Sequence, residues 1–261
     1  MARAGRAALD AGHRFGPGAA ARAWGQRQHR GQLRSAHPGT RRRPHRRRAR
    51  LPGLRCHAAR HRAADAGRAR DALVAEAVTA GVETFTLIGY SLGTAVAVRA
   101  AARHPERVRG LVLTAGLARA DNRLRTSLHL WLRLLAQDDR RAFAEFVALT
   151  AFAPAMYESF TATELDPLLE DIAASVPPGA PEQAALALTV DTTADLPRIT
   201  VPTLVIATTE DLLVSPANSR VLADAIPGAA YAELATGHLP MAERPAEWTE
   251  LITEFLAKHE L

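Results

Sequence analysis

Three residues of this chain, Ser91, Asp211 and His238, have the types and the order needed to attack a carbonyl and move a proton. Ser91 stands at the centre of Gly89-Tyr90-Ser91-Leu92-Gly93, between the apolar run Phe85-Thr86-Leu87-Ile88 and the Ala-rich Thr94-Ala95-Val96-Ala97-Val98. That pattern predicts a strand, a sharp turn and a helix. The serine is expected at a strained backbone position, with glycines on either side allowing strand and helix to approach closely. It would also sit at a helix N-terminus, where the Leu92 N–H is a candidate to hold charge developing on a substrate oxygen. A serine hydroxyl needs a histidine base, and the histidine needs a carboxylate that fixes its tautomer. Both types occur downstream at predicted strand ends.

Val201-Pro202-Thr203-Leu204-Val205-Ile206-Ala207 reads as a buried strand that runs into Thr208-Thr209-Glu210-Asp211, which places Asp211 where ligand sites collect in open parallel sheets. Ala229-Ala230-Tyr231-Ala232-Glu233-Leu234 reads as one more strand, and Ala235-Thr236-Gly237-His238 follows it. Glu210 competes with Asp211. Adjacent residues point in different directions, so only one can reach the histidine, and Asp211 is the preferred reading. Tyr90 could be a hydroxyl donor but is read as packing within the turn.

The order Ser91, Asp211, His238 resembles that of the α/β-hydrolase superfamily. The resemblance covers residues 71–261. It also rests on His104-Pro105-Glu106-Arg107-Val108-Arg109-Gly110-Leu111-Val112-Leu113, on the segment from Asp211 to Val214, on Ile226-Pro227-Gly228-Ala229, and on Gly237-His238 with Glu243-Arg244-Pro245. It implies an α/β-hydrolase fold, a mostly parallel sheet with helices on both faces. Core segments are expected at 71–117 and 199–261, with a helical cap over 118–198. Within the cap, helical spacing is read at 127–135, 141–149, 164–174 and 182–188. Trp131, Phe143, Phe146, Phe152, Met156 and Tyr157 are expected either to line an apolar acyl or alcohol pocket or to hold the cap helices together.

Residues 1–70 do not fit this plan. They hold nineteen arginines and no lysine against Asp10 and Asp65, a net +17, which leaves 14 basic and 25 acidic residues, a net −11, in the remainder. They contain no Val, Ile, Glu, Tyr or Asn, so no strand or amphipathic helix is expected there. Yet this is where the resembling family keeps its first strands and the H-G-x-G turn with its second oxyanion N–H.

A basic nucleic-acid-binding arm around Arg41-Arg42-Arg43-Pro44-His45-Arg46-Arg47-Arg48, a transit peptide and a shifted reading frame in GC-rich DNA are the competing accounts. In the shifted frame Phe15 to Gly25 can encode L-V-L-V-L-L-H-G-x-G, and His45 to Ala58 can encode T-V-V-A-P-D-F-P-G-F-G-A-T. Both strings match family motifs and fall in the expected order, so the shifted frame is preferred. On that account the N-terminal strands are absent or garbled, the strand before Ser91 has an uncovered edge, and the printed chain lacks one oxyanion donor. The normal frame would resume near Asp71, with an amphipathic helix over 71–78.

No metal spacing, phosphate loop or dinucleotide fingerprint is found, so no cofactor and no metal are expected. No apolar run approaches a membrane span, and the single Cys56 fits a reducing cytoplasm. The expected activity is a serine hydrolase acting on a small-molecule carboxylic ester, lactone or thioester. The alternatives are an inactive hydrolase-like protein and a nucleic-acid-binding protein that uses the basic N-terminal arm.

Overall fold

In the computed structural model the described residues are 8–10, 74, 75, 77, 79 and 81–261. The H-G-x-G turn, the basic arm and the shifted-frame segments of the sequence reading lie outside them. Five parallel strands form one sheet in the order β1 (Ala8–Asp10), β2 (Phe85–Tyr90), β3 (Val108–Thr114), β4 (Thr203–Thr208) and β5 (Ala230–Leu234).

β1 corrects the expectation that residues 1–70 hold no strand and leave the strand before Ser91 uncovered. Ala8, Leu9 and Asp10 pair with Thr86, Leu87 and Ile88. A free strand edge offers backbone donors and acceptors that a short extended segment can match whatever its side chains. β4 begins two residues later than expected, since Pro202 has no N–H to give a ladder; its carbonyl still accepts from Leu111 N–H.

The strands alternate which face they present. Leu87, Leu111, Leu113 and Val205 pack on one side with Ala97, Val98 and Ala101 of α1 (Leu92–Arg103) and Leu222 of α7 (Pro216–Ala225). Ile88, Val112, Leu204 and Ile206 pack on the other with Ile252 and Phe255 of α8 (Pro245–Lys258). A period of two that buries both faces is the signature of a sheet covered by helices on each side. The alanines of α1 let it lie close on the sheet, which fixes where β2 ends and Ser91 begins. Val74, Ala75, Ala77 and Thr79 are helical, and Val74 and Ala77 join the same core.

Between β3 and β4 stand α2 (Asn122–Ala136), α3 (Arg140–Ala151), α4 (Pro154–Glu158), α5 (Ala162–Ala174) and α6 (Ala180–Thr189). Their starts follow from capping. Asp121 accepts from Leu124 N–H, Asp139 accepts from Ala142 N–H, and Thr161 with Glu164 forms a capping box. α4 was not read from the sequence; five residues behind Pro154 are too few for apolar periodicity to register. No helix among the described residues is long and apolar enough to cross a membrane.

Candidate active site

Ser91 is the residue between β2 and α1, and its φ of 52° and ψ of −126° lie where non-glycine residues are strained. The surroundings over-determine that conformation. Ser91 N–H donates to Thr114 O at 3.0 Å, and Ser91 O accepts from Thr94 N–H and from Thr94 Oγ1 at 2.6 Å. A Cβ on Gly89 would lie 2.9 Å from Gly93 O and Thr94 Cα, so only glycine lets β2 and α1 meet there. Leu92 is the first residue of α1, so its N–H has no acceptor within the helix, and its side chain lines the cavity above Ser91.

Ser91 Oγ lies 2.9 Å from His238 Nε2, and His238 Nδ1 lies 2.6 Å from Asp211 Oδ2. A carboxylate only accepts, so Nδ1 carries the proton and Nε2 is free to accept from the serine hydroxyl. Asp211 is itself held: Oδ1 accepts from Leu213 N–H at 2.9 Å and Val214 N–H at 2.8 Å, and Oδ2 accepts from Thr208 Oγ1 at 3.0 Å. Glu210 turns away to line a second cavity beside Ala153 and Arg244, so the structure brings Asp211 and not Glu210 to the histidine.

Tyr90 is more than turn packing, which corrects the reading preferred from the sequence. Its hydroxyl donates to the carbonyl oxygen of His238 at 2.6 Å, and its ring stands 5.0 Å from the imidazole. Burial, followed by the charges of Asp211 and Glu243, pushes the phenol well above its ordinary value. The sign of the pH effect follows. The unfolded chain ionises Tyr90 near pH ~10, the folded chain only higher, so its contribution is complete below that pH and is lost as pH rises toward the folded value. Tyr90→Phe leaves the buried His238 carbonyl without its donor and is expected to cost about 1–3 kcal/mol at neutral pH. It should also remove part of the wild type's alkaline loss of stability; urea titrations of both proteins across that range measure the difference.

The histidine loop is tied to the helical insert. His238 N–H donates to Ala151 O at 2.7 Å, and the buried Glu243 accepts from Ala153 N–H and Gly237 N–H, both at 3.1 Å. Burial pushes the Glu243 carboxyl above the ordinary range, and its two backbone donors pull the other way. Glu243 stands in the Glu243-Arg244-Pro245 motif, but no spacing in the sequence points to its partners Ala153 and Gly237. A Cβ on Gly237 would lie 2.3 Å from Ala153 N and 2.5 Å from Ala151 O. Because both obstacles are backbone, Gly237→Ala is expected to cost about 1–3 kcal/mol of stability and to displace His238, which a urea titration and a rate measurement detect together.

Above Ser91 lies a cavity of about 110 Å³. Trp131, Phe143 and Phe152 line it, the first of the two alternatives that the sequence leaves open. Phe146 instead packs its ring at right angles to Trp131, and Met156 and Tyr157 pack against the α3–α5 cluster. α2, α3 and α6 supply half of the apolar lining, and Leu213, Val214 and Leu239 close it from the two loops that carry Asp211 and His238. A half-buried serine hydroxyl set against a buried imidazole at the floor of an apolar cavity can do acyl chemistry in a low-dielectric setting.

The chain can be set beside known proteins on this basis. A pyrrolizixenacetamide deacetylase from Xenorhabdus hominickii is 35% identical over 191 residues, 72% of this chain and 71% of that protein. Among solved structures, an enol-lactonase from Burkholderia xenovorans shares 25% identity over 74% of each chain with a TM-score of 0.67. An esterase from Thermogutta terrifontis shares 26% identity over 77% of this chain and 75% of that one, with a TM-score of 0.61. The family profile described as the alpha/beta hydrolase fold matches residues 69–245, a span that holds the strained serine, the aspartate after β4 and the histidine after β5. The chain belongs to the α/β-hydrolase family.

Proposed function

We propose that this hydrolase cleaves a small carboxylic ester, lactone or thioester through Ser91, His238 and Asp211. Ser91 Oγ attacks the carbonyl carbon while His238 Nε2 takes its proton. The Leu92 N–H faces the oxyanion, and collapse expels the alcohol or thiol, which receives that proton from Nε2. Water then enters by the same route, giving its proton to Nε2 and its oxygen to the acyl carbon, and Ser91 is released with the proton returned. The observation that carries this reading is the pair of short contacts running from Ser91 through His238 to Asp211 at the floor of an apolar cavity. The names deacetylase, enol-lactonase and esterase borne by relatives agree with acyl transfer.

Covalent labelling by a fluorophosphonate, read as a mass increase on the peptide holding Ser91, tests the reading directly; an intact, folded protein that takes no label would overturn it. The cavity sets a further expectation. About 150 Å³ already suffices for a benzene-sized guest, so about 110 Å³ suits a short group. Acetyl and butyryl p-nitrophenyl esters should therefore turn over at least about tenfold faster than decanoyl esters.

The helical insert over 118–198 acts in this reading as the cap that carries the pocket wall. A cytoplasmic location belongs to the same reading, supported by the single cysteine in 261 residues. The shifted frame in residues 1–70 belongs to it as well. A gene with that frame restored, so that the H-G-x-G string is translated, should encode a protein about 10²–10³-fold faster than the printed chain, the value of one oxyanion donor. Equal rates would return the basic arm to consideration, to be tested by the salt dependence of nucleic-acid binding.

A further inference from the structure

The cavity is apolar apart from a few polar groups, and nearly all of these are already committed. Ser91 and His238 face one another, the Tyr90 hydroxyl donates to the His238 carbonyl, and the Ser175 hydroxyl donates to Ile172 O. Gln183, which lines the cavity from α6, is different: its Oε1 is buried and has no hydrogen-bond partner. Ala180, Ala184 and Ala187 on the same helix line the cavity beside it, small residues that leave the amide room. Buried acceptors are satisfied almost everywhere in folded proteins, so an orphan beside a ligand cavity points to the ligand as its partner.

We infer that the group bound in this cavity is a short apolar chain that carries one hydrogen-bond donor, a hydroxyl or an amide N–H, and that Gln183 Oε1 accepts from it. This rests on the acyl-transfer reading above and narrows it from esters of short acids to esters of short hydroxy or acylamino acids. Gln183 is then a specificity residue. A site with a buried acceptor discriminates against the analogue without a donor, because binding that analogue leaves the acceptor unpaired.

The test compares p-nitrophenyl esters of butyrate, 3-methoxybutyrate, 3-hydroxybutyrate and N-acetylglycine. The methoxy ester matches the hydroxy ester in polarity but has no donor. In the wild type, kcat/KM for the better of the two donor-bearing esters is expected to exceed that of both others by at least about tenfold. In Gln183→Leu, and in Gln183→Met should the first variant fail to fold, that ratio should fall toward one. The same ranking is expected in the thermal shifts produced by the free acids, a readout that needs no turnover. A wild type that does not distinguish donor from non-donor compounds, or a preference that survives in the Gln183 variants, overturns the assignment. Fluorophosphonate labelling of wild-type Ser91 is scored separately and reports on the acyl-transfer reading alone.

Discussion

Ser91→Ala is expected to lower the rate of ester hydrolysis by about 10⁶-fold, the scale on which a serine acting as one unit with its histidine is lost. Alanine cannot form the acyl-enzyme, so the burst of p-nitrophenol that marks its accumulation should vanish along with steady-state turnover. The substitution leaves the β2–α1 turn its backbone bonds from Ser91 N–H to Thr114 O and from Thr94 to Ser91 O, because none of these uses the serine hydroxyl. The variant should therefore fold, and a melting temperature near that of the wild type makes the kinetic loss interpretable. A variant within tenfold of wild type would remove Ser91 from the chemistry.

Asp211→Asn is expected to cost about 10⁴-fold in kcat, because it acts on the histidine's tautomer rather than on its position. An aspartate at this place accepts four hydrogen bonds: Leu213 N–H, Val214 N–H, Thr208 Oγ1 and His238 Nδ1. Asparagine has one oxygen. If that oxygen keeps the two backbone donors of the 213–214 turn, the amide nitrogen faces His238 and favours the ring proton on Nε2, the atom that has to accept from Ser91. Glu210→Gln is the matched control, since Glu210 faces the second cavity and should change kcat less than about threefold. A Glu210 variant as damaged as Asp211→Asn would reverse the assignment.

The parts of this site that could be read in the sequence are the parts that local spacing determines. The turn around Ser91 is written in consecutive residues, because the strain at φ 52° needs a glycine at 89 and a helix start at 92. Asp211 and His238 could be found because each follows a short apolar run that can only be a strand. Four of the five helices of the insert show in their 3.6-residue spacing, and α4 is too short to do so. What stayed hidden depends on contacts between distant parts of the chain. The Tyr90 hydroxyl meets a carbonyl 148 positions away, and Glu243 meets Ala153 across 90 positions. No spacing rule joins such pairs; they exist only once the strands have set the loops side by side. β1 was hidden for another reason: its pairing uses backbone alone, which every residue except proline can offer.

The fastening of the histidine loop to the insert gives the protein a built-in interlock. His238 hangs from Ala151 by its own N–H, and Glu243 joins Ala153 to Gly237 just beside it. The imidazole is thus fixed to the roof of the cavity as much as to its floor. A movement that lifts the C-terminal end of α3 to admit a larger guest is therefore expected to draw the imidazole away from Ser91. Substitutions along that end of α3 should then register in kcat even where they touch no substrate.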